Sequence, residues 1–220
     1  MRRLCYWISL FFIILSLTSC YQTHAPAPVV DAWYQAKAKN SIYRVQQGDT
    51  IYSIAWAFGL DYRALAQVNH LQLPYTISPG QTLKMVNTPA FHSRPMEARV
   101  AMWHWPARGR LVERFTSGMT GSQGIGISGK IGQPIFASAS GEIVYSGDGV
   151  RGYGNLIIVK NNSNYLSAYA FNEQNFVRVG EFVKANQVIA KMGKNDAGRA
   201  LLYFEIRYNG KPVNPLRFLH

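Results

Sequence analysis

The carboxylates of Glu142, Asp148, Glu173, Glu181, Asp196 and Glu205 are among the residues of the C-terminal half that could bind a metal or move a proton, and no histidine or cysteine lies between Trp105 and Leu219. A catalytic zinc takes three protein ligands, drawn mostly from His, Cys and carboxylate, and keeps one position open for water. The metal acidifies that water, and a nearby base removes its proton. Without imidazole or thiolate, the sequence leaves open only a carboxylate site. Thiol chemistry is confined to Cys5 and Cys20. Cys20, which closes an apolar run, is the second candidate for chemistry.

Residues 1–19 read as a secretory leader. Arg2 and Arg3 supply the charged end, and Ile8 to Leu17 form an apolar run too short to cross a bilayer, which takes about 20 residues. The run ends in Leu17-Thr18-Ser19-Cys20. This resembles the bacterial lipobox, which implies lipidation of Cys20 and anchorage by acyl chains. An uncleaved leader is the alternative. Tyr21, not Asp, follows the cysteine, which implies an outer-membrane lipoprotein facing the periplasm. With Cys5 in the leader, Cys20 has no partner for an internal disulfide. Residues 20–40 mix Pro, Ala and polar residues without a period and read as a lipidated tether.

Residues 41–86 alternate strand and helix patterns. Ile42 to Val45 alternates, Asp49 or Thr50 is placed to cap a helix, and Ile51, Ile54, Ala55 and Phe58 recur at helical spacing. Gly59 stops that helix, Asp61 starts a second, and Ile77 to Leu83 turns into a final strand. The βααβ order, with Tyr43-x-Val45-x-x-Gly48-Asp49-Thr50 at one end and Pro79-Gly80-Gln81-x-Leu83 at the other, resembles the LysM module. The resemblance implies binding of N-acetylglucosamine-containing glycan, here peptidoglycan, by Gly48, Asp49, Thr50, Ile51, Ile77, Ser78 and Pro79. The other reading of these residues is that they shape turns and caps.

Residues 87–102 carry two prolines and scattered charge, and read as a linker. From 103 to 220 the pattern is short strands and Gly/Asn turns, a mostly β domain. The expected strands are Glu142 to Tyr145, Leu156 to Lys160 (apolar enough to be buried on both faces), Tyr165 to Ala170, Val188 to Met192 and Leu202 to Arg207. Ile131 to Ala137 leads to a turn, and Val177 to Val183 contains another at Gly180. The runs GYGNLIIVKNNSNYLSAYAFN from Gly152 and LLYFEIRYNGKPVNPL from Leu201 resemble the LytM domain of lysostaphin-type peptidases. Active members end the first run in Tyr-Ala-His and open the second with His-x-His. Those histidines correspond here to Phe171, Leu201 and Tyr203, and a His-x-x-x-Asp pair corresponds to Ser122 and Gly126. The resemblance therefore implies a degenerate site, no catalytic residues, no metal and no cofactor. Phe171, Leu201 and Tyr203, edged by Arg151 and Tyr153, would then form a partner groove, since aromatic groups with Arg nearby suit protein contacts. Tyr203 as plain core is the alternative.

Lipobox, LysM module and metal-free LytM domain together resemble NlpD-type lipoproteins. This implies a non-enzymatic activator of periplasmic N-acetylmuramoyl-L-alanine amidases in septal peptidoglycan splitting, enriched at the division site. The alternatives are a structural lipoprotein tethering outer membrane to peptidoglycan, and an active endopeptidase. Formal charge is +12, yet Lys and Arg never run beyond two in succession, so no nucleic-acid tail is expected.

Overall fold

A computed structural model describes residues 41–85, 103–117 and 122–220. The leader, Cys20, the tether and the linker at 87–102 lie outside the described residues.

The first module is a two-stranded antiparallel sheet, β1 (Ser41–Arg44) and β2 (Thr82–Met85), with two helices between, α1 (Ile51–Phe58) and α2 (Tyr62–Val68). Local chemistry fixes each boundary. Thr50 is the N-cap of α1: its hydroxyl accepts from the Ser53 N–H, and the Ser53 hydroxyl accepts from the Thr50 N–H. Gly59 ends α1 in the left-handed conformation, which glycine adopts without a Cβ clash. Asp61 caps α2. Asn69 ties the end of α2 to the sheet, donating to the Lys84 carbonyl and accepting from its N–H.

The second domain is built on an eight-stranded sheet ordered β10-β6-β7-β8-β12-β4-β3, with β13 also paired to β12. The strands are β3 (Arg110–Glu113), β4 (Ile125–Ser128), β6 (Gly141–Gly147), β7 (Leu156–Lys160), β8 (Tyr165–Ala170), β10 (Phe182–Val183), β12 (Leu201–Tyr208) and β13 (Lys211–Val213). A three-stranded sheet, β5 (Pro134–Phe136), β11 (Val188–Met192) and β9 (Asn172–Asn175), covers one side. Between the two sheets lies a core that includes Ile127, Ile157, Tyr169, Leu202, Phe204 and Ile189.

The other face of the large sheet is not open. Val144, Leu156, Ile158, Ala168 and Ala170 belong to one buried cluster with Ile51, Tyr52, Trp56 and Leu65 of the first module. The LysM-like module therefore packs on the sheet, with α1 against β6. This explains why β7 and β12 are buried on both faces. At one edge of the contact, the β12–β13 hairpin turns through Asn209 and Gly210, both at positive φ, as a two-residue turn of the twist-matching kind requires.

Candidate functional site

Strand β12 carries two sets of side chains. Leu202, Phe204 and Ile206 enter the core between the sheets, and Leu201, Tyr203, Glu205 and Arg207 face the first module. Register places Tyr203 opposite both Gly126 on β4 and Ala170 on β8. Phe171 follows β8 at positive φ; its N–H donates to the Tyr153 carbonyl at 2.9 Å. Tyr153 sits in a loop between Gly152 and Gly154, both also at positive φ. The Tyr203 ring meets Tyr153 at 6.1 Å and Phe171 at 6.4 Å between centroids, edge-on in each case. The fold thus brings together Gly126, Tyr153, Phe171, Leu201 and Tyr203. Ser122 is half-buried and donates from its hydroxyl to the Gly124 carbonyl, and a Cβ at Gly124 would stand 2.9 Å from the Tyr203 ring. Arg151 alone is exposed, in the turn before Tyr153.

These aromatic groups do not line an open groove. Tyr153 is 1%, Leu201 and Tyr203 are 3%, and Phe171 is 5% exposed. Tyr153 is floor, not edge. Trp56 of α1 stands edge-on to the Tyr153 ring, 6.4 Å between centroids. The same indole lies against the Arg207 guanidinium, 3.9 Å from the ring centroid, and its residue's carbonyl accepts a 2.7 Å hydrogen bond from Arg207 Nη1. Arg207 Nε donates to Glu205 Oε1 at 2.6 Å, and Glu205 Oε2 accepts from the Tyr153 hydroxyl at 3.1 Å. A polar chain therefore runs from Tyr153 through Glu205 and Arg207 to the end of α1.

Trp56, Glu205, Arg207 and Glu113 are the residues sequence reasoning did not place here. The signal for Trp56 was available: IYSIAWAF is apolar nearly all round, and such a helix is buried on every side. Glu113 is paired with Gly126 across β3 and β4, and a Cβ on Gly126 would stand 2.9–3.1 Å from its side-chain carbons. The Glu113 side chain thus occupies the space into which an acidic residue at 126 would project. Apart from the Tyr203 phenol and the Ser122 hydroxyl, the five positions that the sequence resemblance assigns to the zinc site offer no donor atom, and that set does not fit zinc. Among the described residues no cluster of three or more His, Cys, Asp or Glu could hold a metal ion.

The glycan candidates fall at the module boundary. Asp49, Thr50, Ile51 and Ile77 line a cleft of about 330 Å³ together with Tyr52 and Tyr75. Its opposite wall is Glu142, Val144, Lys160 and Val179 of the second domain. Gly48, Ser78 and Pro79 are exposed outside that lining. Asp49 is held by two acceptor bonds, from the Tyr43 hydroxyl and the Gln46 N–H, both 2.8 Å. Ile51 is 1% exposed and belongs to the core beneath the cleft. Burial pushes the Tyr52 hydroxyl pKa well above that of a free phenol, reinforced by Tyr62 and by Glu142 across the cleft.

The description of the LysM domain matches residues 43–85, and that of peptidase family M23 matches residues 120–215. The chain is similar to a lipoprotein NlpD/LppB homolog of Pseudomonas aeruginosa, 38% identical over 226 residues, with 80% of this chain and 76% of the relative covered. It is similar to the murein hydrolase activator NlpD of Escherichia coli, 35% identical over 256 residues, covering 81% of this chain and 68% of the relative. A further relative, the uncharacterized lipoprotein YgeR of Escherichia coli, is 36% identical over 203 residues, with 81% of each chain covered.

Proposed function

The chain belongs to the NlpD/LppB family of lipoproteins, and from that premise we propose that it activates periplasmic N-acetylmuramoyl-L-alanine amidases without being an enzyme itself. One observation supports the reading: within the region that matches peptidase family M23, Phe171 and Tyr203, at positions that the sequence resemblance assigns to histidines of active members, pack with Tyr153 into an aromatic cluster. Aromatic groups of this kind suit a protein contact where they are uncovered, and they offer no donor set for activating water. The partner would be an amidase whose open state the complex stabilises. The LysM module would hold peptidoglycan through Asp49, Thr50 and Ile77, with Gly48, Ile51, Ser78 and Pro79 shaping the site. Acylated Cys20 would anchor the protein to the outer membrane, and the division site is where the activity would be needed.

The test is dye release from labelled peptidoglycan with and without an amidase of the same organism. The protein alone should release nothing, and amidase plus protein should release more than amidase alone. Arg151→Glu is the informative variant, because Arg151 is exposed and its reversal should leave folding untouched. Burial of the aromatic cluster favours a second reading, a wall-binding tether whose second domain is passive. No stimulation of any amidase of that organism would establish it in place of the first.

A further inference from the structure

We infer that the LysM module is a reversible cover: α1 occupies the surface through which the second domain would engage its partner, and the activating state is the one in which the module has moved off. This rests on the activator reading above and adds to it a closed state built into the chain.

The occupant is identified by its contacts. Trp56 lies against Tyr153 and Arg207, and Tyr153 and Phe171 in turn pack on Tyr203, so the candidate groove is filled by a helix of the same chain. Arg207 donates to the Trp56 carbonyl in the C-terminal turn of α1, where the helix dipole favours a cation. The surface is therefore shaped for a helix that ends at Arg207 and presents an aromatic ring there. A partner competing for it needs the same two features.

Around the apolar cluster that the two modules share, the contact is fastened by polar bonds that act as a latch. Arg63 Nη2 donates to Asn209 Oδ1 at 2.8 Å, the Tyr62 hydroxyl donates to the Ser163 carbonyl at 3.2 Å, and Arg207 holds the Trp56 carbonyl. On separation such bonds are replaced by bonds to water, which offsets most of their strength. The Trp56 indole N–H is buried without an acceptor, an unfavourable state that water would relieve on separation. Residues 86–102, between the two bodies, have a contour length of about 55 Å, so the module can leave the sheet while tethered. Closure lowers the apparent affinity for a partner by the fraction of open molecules.

Gly210 offers a way to part the modules without touching the groove or the glycan cleft. A Cβ there would stand 2.7 Å from the Leu60 carbonyl and the Asp61 nitrogen across the contact. Asn tolerates the positive φ of this turn, so Gly210→Asn keeps the hairpin and wedges the contact. The double variant Tyr62→Phe/Arg63→Ala removes two of the three polar bonds by another route. The full chain and both variants would be compared by small-angle scattering, by binding of 8-anilinonaphthalene-1-sulfonate, and by amidase stimulation in dye release. The expected result is a larger radius of gyration, more dye bound, and stimulation about tenfold higher at limiting protein, as for a competent state freed from a one-in-ten population. Both variants remaining as compact as the parent would overturn the inference. So would variants that open yet stimulate no better than the parent. Opening with no stimulation by parent or variants would instead overturn the activator reading, and the inference with it.

Discussion

The Arg207 guanidinium lies 3.9 Å from the centre of the Trp56 ring and donates a 2.7 Å hydrogen bond to the Trp56 carbonyl, so one side chain of the second domain holds both the ring and the backbone at the end of α1. The same guanidinium also donates to Gln123 Oε1 at 3.4 Å and pairs with Glu205, two residues away on the same face of β12, at 2.6 Å and with both side chains buried. A buried ion pair stabilises little by itself, but it makes each partner dependent on the other. Here that dependence couples the floor of the candidate groove to the module that covers it.

Arg207→Met should lower stability to urea by about 3 kcal/mol or more, because the Glu205 carboxylate is left buried without its cation. Glu205→Gln in the same chain should restore part of that loss. A change below about 1 kcal/mol for the single variant would mean that water reaches the carboxylate, contrary to its burial.

The strand pattern of the second domain was legible where one residue type dominated. Leu156–Lys160, Tyr165–Ala170 and Val188–Met192 stand as their apolar patterns required, and Thr50 and Asp61 cap the helices. Strand β12 extends one residue further at each end, to Leu201 and Tyr208. The turn expected at Gly180 stands, followed by the two strand residues Phe182–Val183, and β5 covers only Pro134–Phe136 of the run from Ile131 to Ala137. Strands β3, β4, β9 and β13 were not assigned: β9 is Asn-Glu-Gln-Asn, and β4 contains glycine, so pairing and not propensity makes them strands. That Phe171, Leu201 and Tyr203 lie together was legible, and that α1 covers them was not. Tyr52 and Trp56 form a second stripe on α1 that periodicity cannot distinguish from core of the small module.

Alkaline pH should loosen the contact between the modules. The Tyr62 hydroxyl donates to Ser163 in the second domain, and burial is the main cause that raises its pKa from 10.0 to about 12. Below pH 10 this phenol is neutral whether folded or unfolded, so stability is unaffected. Between about 10 and about 12 the unfolded chain releases the proton and the folded one retains it, so stability falls as pH rises through that window. Melting temperatures at rising pH should drop less in Tyr62→Phe than in the parent, and equal slopes would rule Tyr62 out as the source.

Thr50 has a cap role separable from any glycan contact. Thr50→Ala should cost about 1 kcal/mol through loss of the bond from Ser53 N–H, and Thr50→Ser should retain the cap. Sedimentation with purified peptidoglycan, read beside the melting curves, separates the roles. Loss of sedimentation by Thr50→Ser at unchanged stability would place the threonine methyl in the sugar site.

A chelator should leave the melting temperature of the purified protein unchanged, since a metal bound to the folded state would add stability by mass action. One equivalent of zinc by elemental analysis, with a chelator-induced fall in melting temperature, would return the peptidase reading to consideration.

Glu113 should oppose any return of an acidic ligand at position 126. The two residues face each other across β3 and β4, and a Cβ added to Gly126 would lie 2.9 Å from Glu113 Cβ, an atom that a side-chain rotation cannot move away. Gly126→Ala should therefore cost about 1–3 kcal/mol by overpacking, and Gly126→Asp should add like-charge repulsion to the same clash. Glu113→Gly removes the obstructing atoms, so in a double-mutant cycle Gly126→Ala should cost less in that background, with a coupling above about 0.5 kcal/mol. Additive effects in urea unfolding would mean that the strands separate to admit the methyl group, and that Glu113 does not occupy the acidic position.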